Sequence, residues 1–355
     1  MRVIRRYLFR TIVAATAMVM SVLLGLAVFI EFVTQLDDIG TGNYGIIQAV
    51  IYSFLKLPNL AHQMLPMAVL LGSLLGLGGL ANQGELVIIR AAGVSMFRLA
   101  GAVTMTGVIL ALLTLALGEF VGPPLDNYAR QFRAEAKHAD DPVTTGKSAW
   151  IRDGDTYLNV SRLTDDFRLG GVYLYKLEPD GGLGAIGRAD SAGVDAANQW
   201  VLSNYRESMF QGQGVKTMQA RRSTQANNLS PDLVALTVVR PDGLRGVELW
   251  RYVRYLRRNE LDSGRYEIAF WARIAAAVAV VPMCVLGLPF VFGRMRSSGA
   301  GARMIIGLFI GLAYFLAARG LADGSQVYEL DPFLVAWLPT IALTLATLIA
   351  LARAR

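Results

Sequence analysis

The sequence predicts an α-helical membrane protein: six transmembrane helices and one inserted, extracytoplasmic all-β domain. Three observations predict it. Of 355 residues, 54% are hydrophobic and only 17% charged, with mean hydropathy +0.42, whereas soluble domains average about 25% charged residues. Three charge-free apolar runs precede, and three follow, a polar interval from Glu119 to about Arg273. Inside that interval, short β-type runs alternate with Gly, Asp and Asn. This balance excludes a disordered chain, a collagen-like chain and a purely soluble enzyme.

A helix needs about 20 apolar residues to cross some 30 Å of hydrocarbon. Thr11–Ile30 is the first such run, and four arginines precede it (Arg2, Arg5, Arg6, Arg10). A basic flank also suits a signal peptide, but the run exceeds the usual 7–15 residues and no small-x-small site follows. It reads as an uncleaved first span. Leu57–Gly84 is the second run and Leu99–Gly118 the third. Ile274–Gly293, Met304–Ala318 and Pro332–Ala352 follow the polar interval. The fifth is short for a crossing, so the expectation there is snorkelling arginines or a thinned bilayer.

Arginine and lysine in the short loops set the orientation. One side holds the four N-terminal arginines, Arg90, Arg98, Arg294, Arg296, Arg303, Arg353 and Arg355. The other holds only Lys56 and Arg319, beside Glu31, Asp37, Asp38, Asp323, Glu329 and Asp331. Both termini are therefore expected in the cytoplasm and the polar interval outside it. The net charge of +7 and pI near 9.6 then report topology, not a nucleic-acid surface.

The interval opens with Gly122-Pro123-Pro124, which is expected to break the third helix, before a short helix over Asn127–Lys137. Strands are expected at Ala149–Ile151, Tyr157–Val160, Val172–Leu177, Trp200–Tyr205, Val215–Gln219 and Leu233–Val239, short enough for a β-sandwich or β-roll. From Gly246 the pattern turns helical, with Leu249, Val253 and Leu256 opposite Arg251, Arg254 and Arg258. The expected organisation is 1–118 for the first three spans, 119–262 for the β domain with its flanking helices, and 263–355 for the last three spans.

No catalytic centre is legible. Gly146-Lys147-Ser148 resembles the end of a phosphate loop, but the glycine such a loop needs five residues earlier is Asp141. The spans as drawn contain no Asp, Glu, Lys or Arg, and Cys284, His62 and His138 are the only cysteine and histidines. A disulfide and a cysteine- or histidine-based metal site are therefore excluded. Between the second and third runs, residues 82–93 form a short helix candidate with a glycine cap. Its Leu86, Ile88 and Ile89 are too apolar for a solvated loop. It is either an interfacial turn joining two spans or a helix that docks into a cytosolic partner's groove. Gly72-x-x-x-Gly76 and Gly307-x-x-x-Gly311 allow close helix approach, either as static packing or as a seam that opens. The outer arginines Arg130, Arg133, Arg251, Arg254, Arg258 and Arg319 are either a solvated or headgroup-contacting face, or a site for a phosphate-bearing amphiphile.

Pro66, Gly72, Leu80, Glu85-Leu86 and Ala92-Gly93 together resemble the second span and coupling helix of the LptF/LptG family of lipopolysaccharide-export permeases. Gly264-Arg265-Tyr266, Trp271 and Phe292-Gly293…Arg296-Ser297 resemble the LptG branch more than LptF. The resemblance covers nearly the whole chain and implies three spans, a periplasmic β-jellyroll-like domain, and three more spans. It implies a transporter half in the inner membrane, bearing no catalytic residues or cofactor of its own. The implied partners are an LptF-like permease, a cytoplasmic LptB-like ATPase dimer that uses ATP and Mg2+, an LptC-like single-span protein and an LptA-like periplasmic bridge. Lipopolysaccharide would be the cargo and membrane lipid the surroundings.

Under that resemblance Glu85, with Leu86, Ile89, Arg90 and Gly93, engages the ATPase. The first and fifth spans line the cavity and its gates, with Phe29, Phe32, Gly72, Gly76, Gly307, Gly311 and Phe315 as candidates. One departure stands out. Relatives carry phosphate-contacting lysines near the outer end of the first span, where this chain has Glu31, Asp37 and Asp38. Phosphates would then meet nearby arginines, or a divalent cation would bridge them to these carboxylates. A membrane-anchored receptor or scaffold, with the β domain as ligand module, is the alternative. A lipid-modifying enzyme would need a catalytic pair that is not visible.

Overall fold

The apolar runs become helices that extend well past the charge-free stretches, because a helix satisfies its own backbone groups in hydrocarbon and in headgroups alike. The computed structural model describes residues 2–137, 149–153, 156–163, 169–178, 182–194, 200–211, 214–225, 241–292, 300–328 and 330–353. His138, Gly146-Lys147-Ser148, the expected strand Leu233–Val239, Gly293, Arg294, Arg296, Ser297, Glu329 and Arg355 lie outside the described residues.

The helices are α1 (Arg2–Gln35), α2 (Ile46–Leu55), α3 (Leu57–Asn82), α4 (Glu85–Ala91), α5 (Met96–Ala116), α6 (Gly122–Lys137), α7 (Gly246–Arg258), α8 (Gly264–Phe292), α9 (Ala300–Tyr328) and α10 (Pro332–Arg353). Six are long and apolar enough to cross a membrane: α1, α3, α5 with its continuation, α8, α9 and α10. Two expectations are corrected. The fifth span is not short, since α9 runs through Arg303, Arg319 and Asp323 for 29 residues. Gly122-Pro123-Pro124 does not break the third. A π-helical turn at Leu117–Val121 leads straight into α6, giving one 42-residue helix from Met96 to Lys137. The prolines fall in the first turn of the new α-helical register, where missing N–H groups cost little.

The chain divides into two compact units. The first comprises residues 1–40, 44–133 and 264–355. Here α3 is the central helix and is apolar all round. Leu65, Val69, Leu77 and Leu80 of α3 share a core with Leu8 and Ile12 of α1, Leu99 and Val103 of α5, and Val280, Cys284 and Leu288 of α8. Close approaches need small residues: an added Cβ on Gly107 would sit 3.2 Å from Cys284 Cβ, and one on Gly287 would sit 2.7 Å from Ser73 Oγ. α8 and α3 are 72% buried over their apolar windows, whereas α1 is 22% and α9 only 11%. Those last two helices therefore keep most of their apolar surface free of this chain.

The second unit comprises residues 41–43 and 134–263. Its strands β1 (Ala149–Asp153), β2 (Thr156–Leu163), β3 (Leu169–Leu177), β4 (Leu183–Val194), β5 (Trp200–Gln211) and β6 (Gly214–Gln225) form one antiparallel sheet in sequential order. The expected all-β insert is present, and among the described residues its strands connect as a meander. Leu158 pairs with Leu174, and Val172 with Ala189, so these buried residues stack on one face. β4 is not among the strands expected from the sequence. Its Gly184, Gly187, Ala189 and Gly193 look like turn residues, yet at Gly187 the missing side chain is what the sheet requires. A Cβ on Gly187 would meet the Tyr205 phenol at 2.5 Å.

Candidate coupling helix, helix seams and outer ionic cluster

The short helix after span two is built by two glycines. Gly84 is left-handed (φ +77°) and lets the chain turn out of α3, and its carbonyl accepts from the Val87 and Ile88 N–H groups. Gly93 (φ +86°) closes the other end by donating to the Arg90 carbonyl, while Val94 N–H reaches the Ile89 carbonyl at 3.4 Å, a left-handed glycine cap. Leu86 is fully buried and Ile89 packs on the same core, so α4 is anchored along one side. Val87 and Ile88 face outward at 41% and 67% exposure. Arg90 lies over the Phe292 ring at 5.4 Å. Glu85 accepts a 2.7 Å hydrogen bond from the Tyr7 hydroxyl on α1. Tyr7 is a functional candidate that no local spacing reveals, because it meets Glu85 from a distant part of the chain.

The two glycine pairs do not face each other; they serve different contacts of α3. Gly72 and Gly76 admit α1, since a Cβ on Gly72 would collide with Thr16 and one on Gly76 would lie 3.1 Å from the Thr11 carbonyl oxygen. Gly307 and Gly311 of α9 admit side chains of α3. A Cβ on Gly307 would collide with Leu74 Cδ1, and one on Gly311 would lie 2.9 Å from Met67 Cγ. Phe29 and Phe315 stand exposed on α1 and α9, at 63% and 48%, and Phe32 is half-buried.

At the other end of α1, two of the three carboxylates, Glu31 and Asp38, are paired. Glu31 binds Lys56 at 2.9 Å and accepts from Gln35 Nε2 at 3.1 Å. Asp38, at the end of a 3-10 turn (Leu36–Asp38), binds Arg133 of α6. Lys56 and Arg133 each lie 5.3 Å from the Tyr52 ring centre, close enough for cation–π attraction. Tyr44 donates to Gln35 Oε1 at 3.3 Å, and burial pushes its phenol pKa up, against the lowering field of Arg133. Arg130 is likewise engaged, by Asp126 at 2.8 Å. Asp37 is exposed. Among the described residues no three His, Cys, Asp or Glu side chains converge to hold a metal ion.

Arg319 on α9 is exposed and pairs only loosely with Asp323, at 3.3 Å. Arg251, Arg254 and Arg258 sit on the exposed face of α7 with Arg257, opposite buried Leu249, Val253 and Leu256. The helical pattern read from the sequence holds there.

A six-span helical membrane protein with a β insert, and an apolar connector helix clamped between two left-handed glycines, is the class this fold and site define. The chain belongs to the family of lipopolysaccharide export system permeases LptF/LptG, whose sequence model matches residues 6–353. It is 33% identical over 348 residues to the lipopolysaccharide export system permease protein LptG of Escherichia coli K12, covering 98% of this chain and 97% of that one. The LptG of Haemophilus influenzae is also 33% identical, over 337 residues, with 95% and 94% covered. The Escherichia coli K12 LptF is 24% identical over 293 residues, 80% of this chain and 76% of that protein. The family and the LptG-like character expected from the residues are thus found along the whole chain.

Proposed function

We propose that this chain is the LptG-like permease subunit of a lipopolysaccharide exporter in the bacterial inner membrane, paired with an LptF-like permease. The full-length family match over residues 6–353 carries the reading. It is a multi-pass, non-catalytic subunit. The finer proposal is that α4 docks on an LptB-like ATPase dimer, which binds ATP and Mg2+ and supplies the energy. An LptC-like span and an LptA-like bridge complete the route.

Physical features support this assignment. Val87 and Ile88 form an outward apolar pair next to Glu85, a suitable plug for a groove in a soluble partner. The uncovered surfaces of α1 and α9 suit a cavity formed with the partner permease, apolar enough for a multi-acyl lipid. The bias of arginine and lysine toward one set of short loops supports cytoplasmic termini and a periplasmic location for residues 119–273. The cations at this end of α1 are Lys56 and Arg133, each paired with a carboxylate, Glu31 or Asp38. Substrate phosphates would meet those cations together with Arg130 and Arg319, and Arg251 and Arg254 of the β unit are further phosphate candidates.

Affinity purification from membranes tests the assignment. Co-elution of an LptF-like chain, a soluble ATPase and lipopolysaccharide is expected, with ATP-dependent lipid release after reconstitution into proteoliposomes. Recovery of the chain alone, with lipid binding indifferent to ATP, would replace the transporter with a receptor or scaffold.

A further inference from the structure

Arg303 is 1% exposed and is among the largest fully buried side chains of the protein. Its guanidinium lies against Gly78 of α3: an added Cβ there would sit 3.2 Å from the central guanidinium carbon. One terminal nitrogen, Nη2, donates to Asn82 Oδ1 at 2.9 Å. Nε and Nη1 are buried with no hydrogen-bond partner among the described residues. Burying a charge with unsatisfied donors costs stability, and an apolar side chain of similar volume is often the more stable choice. The site is nevertheless shaped around the arginine, because any side chain at position 78 would crowd the guanidinium.

Its surroundings give the reason. Gly78–Asn82 is the last turn of α3, where the carbonyl-rich, negative end of the helix dipole favours a cation. Asn82 is the final residue of α3, separated from α4 by only Gln83 and Gly84. Arg303 therefore joins α9 to the corner from which α4 departs. The same α4 is joined to α1 through Tyr7 and Glu85. α1 and α9 are the two spans least covered by the rest of the chain.

We propose that Arg303 is a positioning residue that carries displacement of α4 to α9 through Asn82, its spare N–H groups allowing it to exchange partners as the helices shift. The proposal rests on the permease reading above. The α3 end supplies alternative acceptors, so the guanidinium can change bonds without leaving its pocket. The Tyr7–Glu85 bond does the same for α1, so one short helix is linked to both of the least covered spans.

The test uses the whole exporter complex in proteoliposomes, with Arg303→Met, Asn82→Ala, the double variant and Arg303→Lys. ATP hydrolysis, thermal midpoint and ATP-driven lipopolysaccharide release are measured together. Arg303→Met is expected to assemble, to keep hydrolysis within about twofold and to lower release about tenfold. Its thermal midpoint should stay unchanged or rise, because the unsatisfied charge is gone and Asn82, which is exposed, is rehydrated. The double variant should be no worse than Arg303→Met, and Arg303→Lys should recover part of the release. Normal release by Arg303→Met overturns the proposal. So does a fall in stability that tracks the loss of release, or additive losses in the double variant. A wild-type complex that releases no lipopolysaccharide would instead defeat the permease reading.

Discussion

Tyr7 and Glu85, 78 positions apart, are joined by a 2.7 Å hydrogen bond between the first turns of α1 and the start of α4. The bond ties the one acidic side chain of α4 to the first span. Glu85→Lys should leave membrane insertion intact while abolishing recovery of the ATPase with the tagged chain. Tyr7→Phe removes the tether but leaves the carboxylate, so ATPase recovery should persist while lipid release per ATP falls. Equal ATPase recovery by wild type and Glu85→Lys would remove α4 as the docking element.

Close approach of α1 and α3 gives a steric prediction. An added methyl at Gly72 would fall 2.5 Å from Thr16 Cα, which is backbone and has little freedom to yield. Gly72→Ala should destabilise the folded protein by about 1–3 kcal/mol, seen as a lower thermal midpoint in detergent. A methyl added at Gly79 would meet nothing within 4 Å, and Gly79→Ala should be neutral or stabilising through helix propensity. Matching effects of the two substitutions would show that the seam is loose.

The outer ionic cluster separates two neighbouring aspartates. Asp38 holds Arg133, whereas Asp37 is exposed. Asp38→Lys should therefore lower the thermal midpoint by about 2 °C or more, by setting a cation against Arg133, and Asp37→Lys should not. If both variants also leave export and its divalent-ion dependence unchanged, a cation bridging these carboxylates to substrate phosphates is ruled out.

Cys284, the single cysteine of the chain, is buried, with its Sγ 3.7 Å from the Val103 carbonyl oxygen. A maleimide should fail to label it in the folded protein and should label it after denaturation in SDS. Cysteine introduced at the 67% exposed Ile88 should react under both conditions. Rapid labelling of folded wild type would mean that α5 and α8 separate at this level.

Apolar run length and flanking charge are enough to find the six spans, because hydrocarbon admits little else. The helix ends are harder. Arg303 counts only as a loop charge in the sequence, since nothing in its neighbours along the chain announces a pocket beside Gly78. Gly122-Pro123-Pro124 reads as a break because proline rules assume the α register, and the π turn before it shifts that register. β4 escapes notice because Gly and Ala mark turns in a local pattern, while here Gly187 admits Tyr205. The glycine cap of α4 is legible from Gly93, whose role depends on backbone alone. The partners Tyr7, Lys56 and Tyr52 come from distant segments, and pairing across such distances leaves no trace in spacing.

The uninterrupted run from Met96 to Lys137 has a mechanical consequence. At 1.5 Å per residue, its 42 residues measure about 60 Å, roughly twice the hydrocarbon thickness. Without a break at the double proline, the stretch up to Arg133 continues the apolar half as one helix and can act as its lever arm. A tilt of a few degrees within the bilayer becomes a sweep of several ångströms at Arg133. Because Arg133 pairs with Asp38, such a sweep would be felt at the end of α1, in mechanical series with the third span.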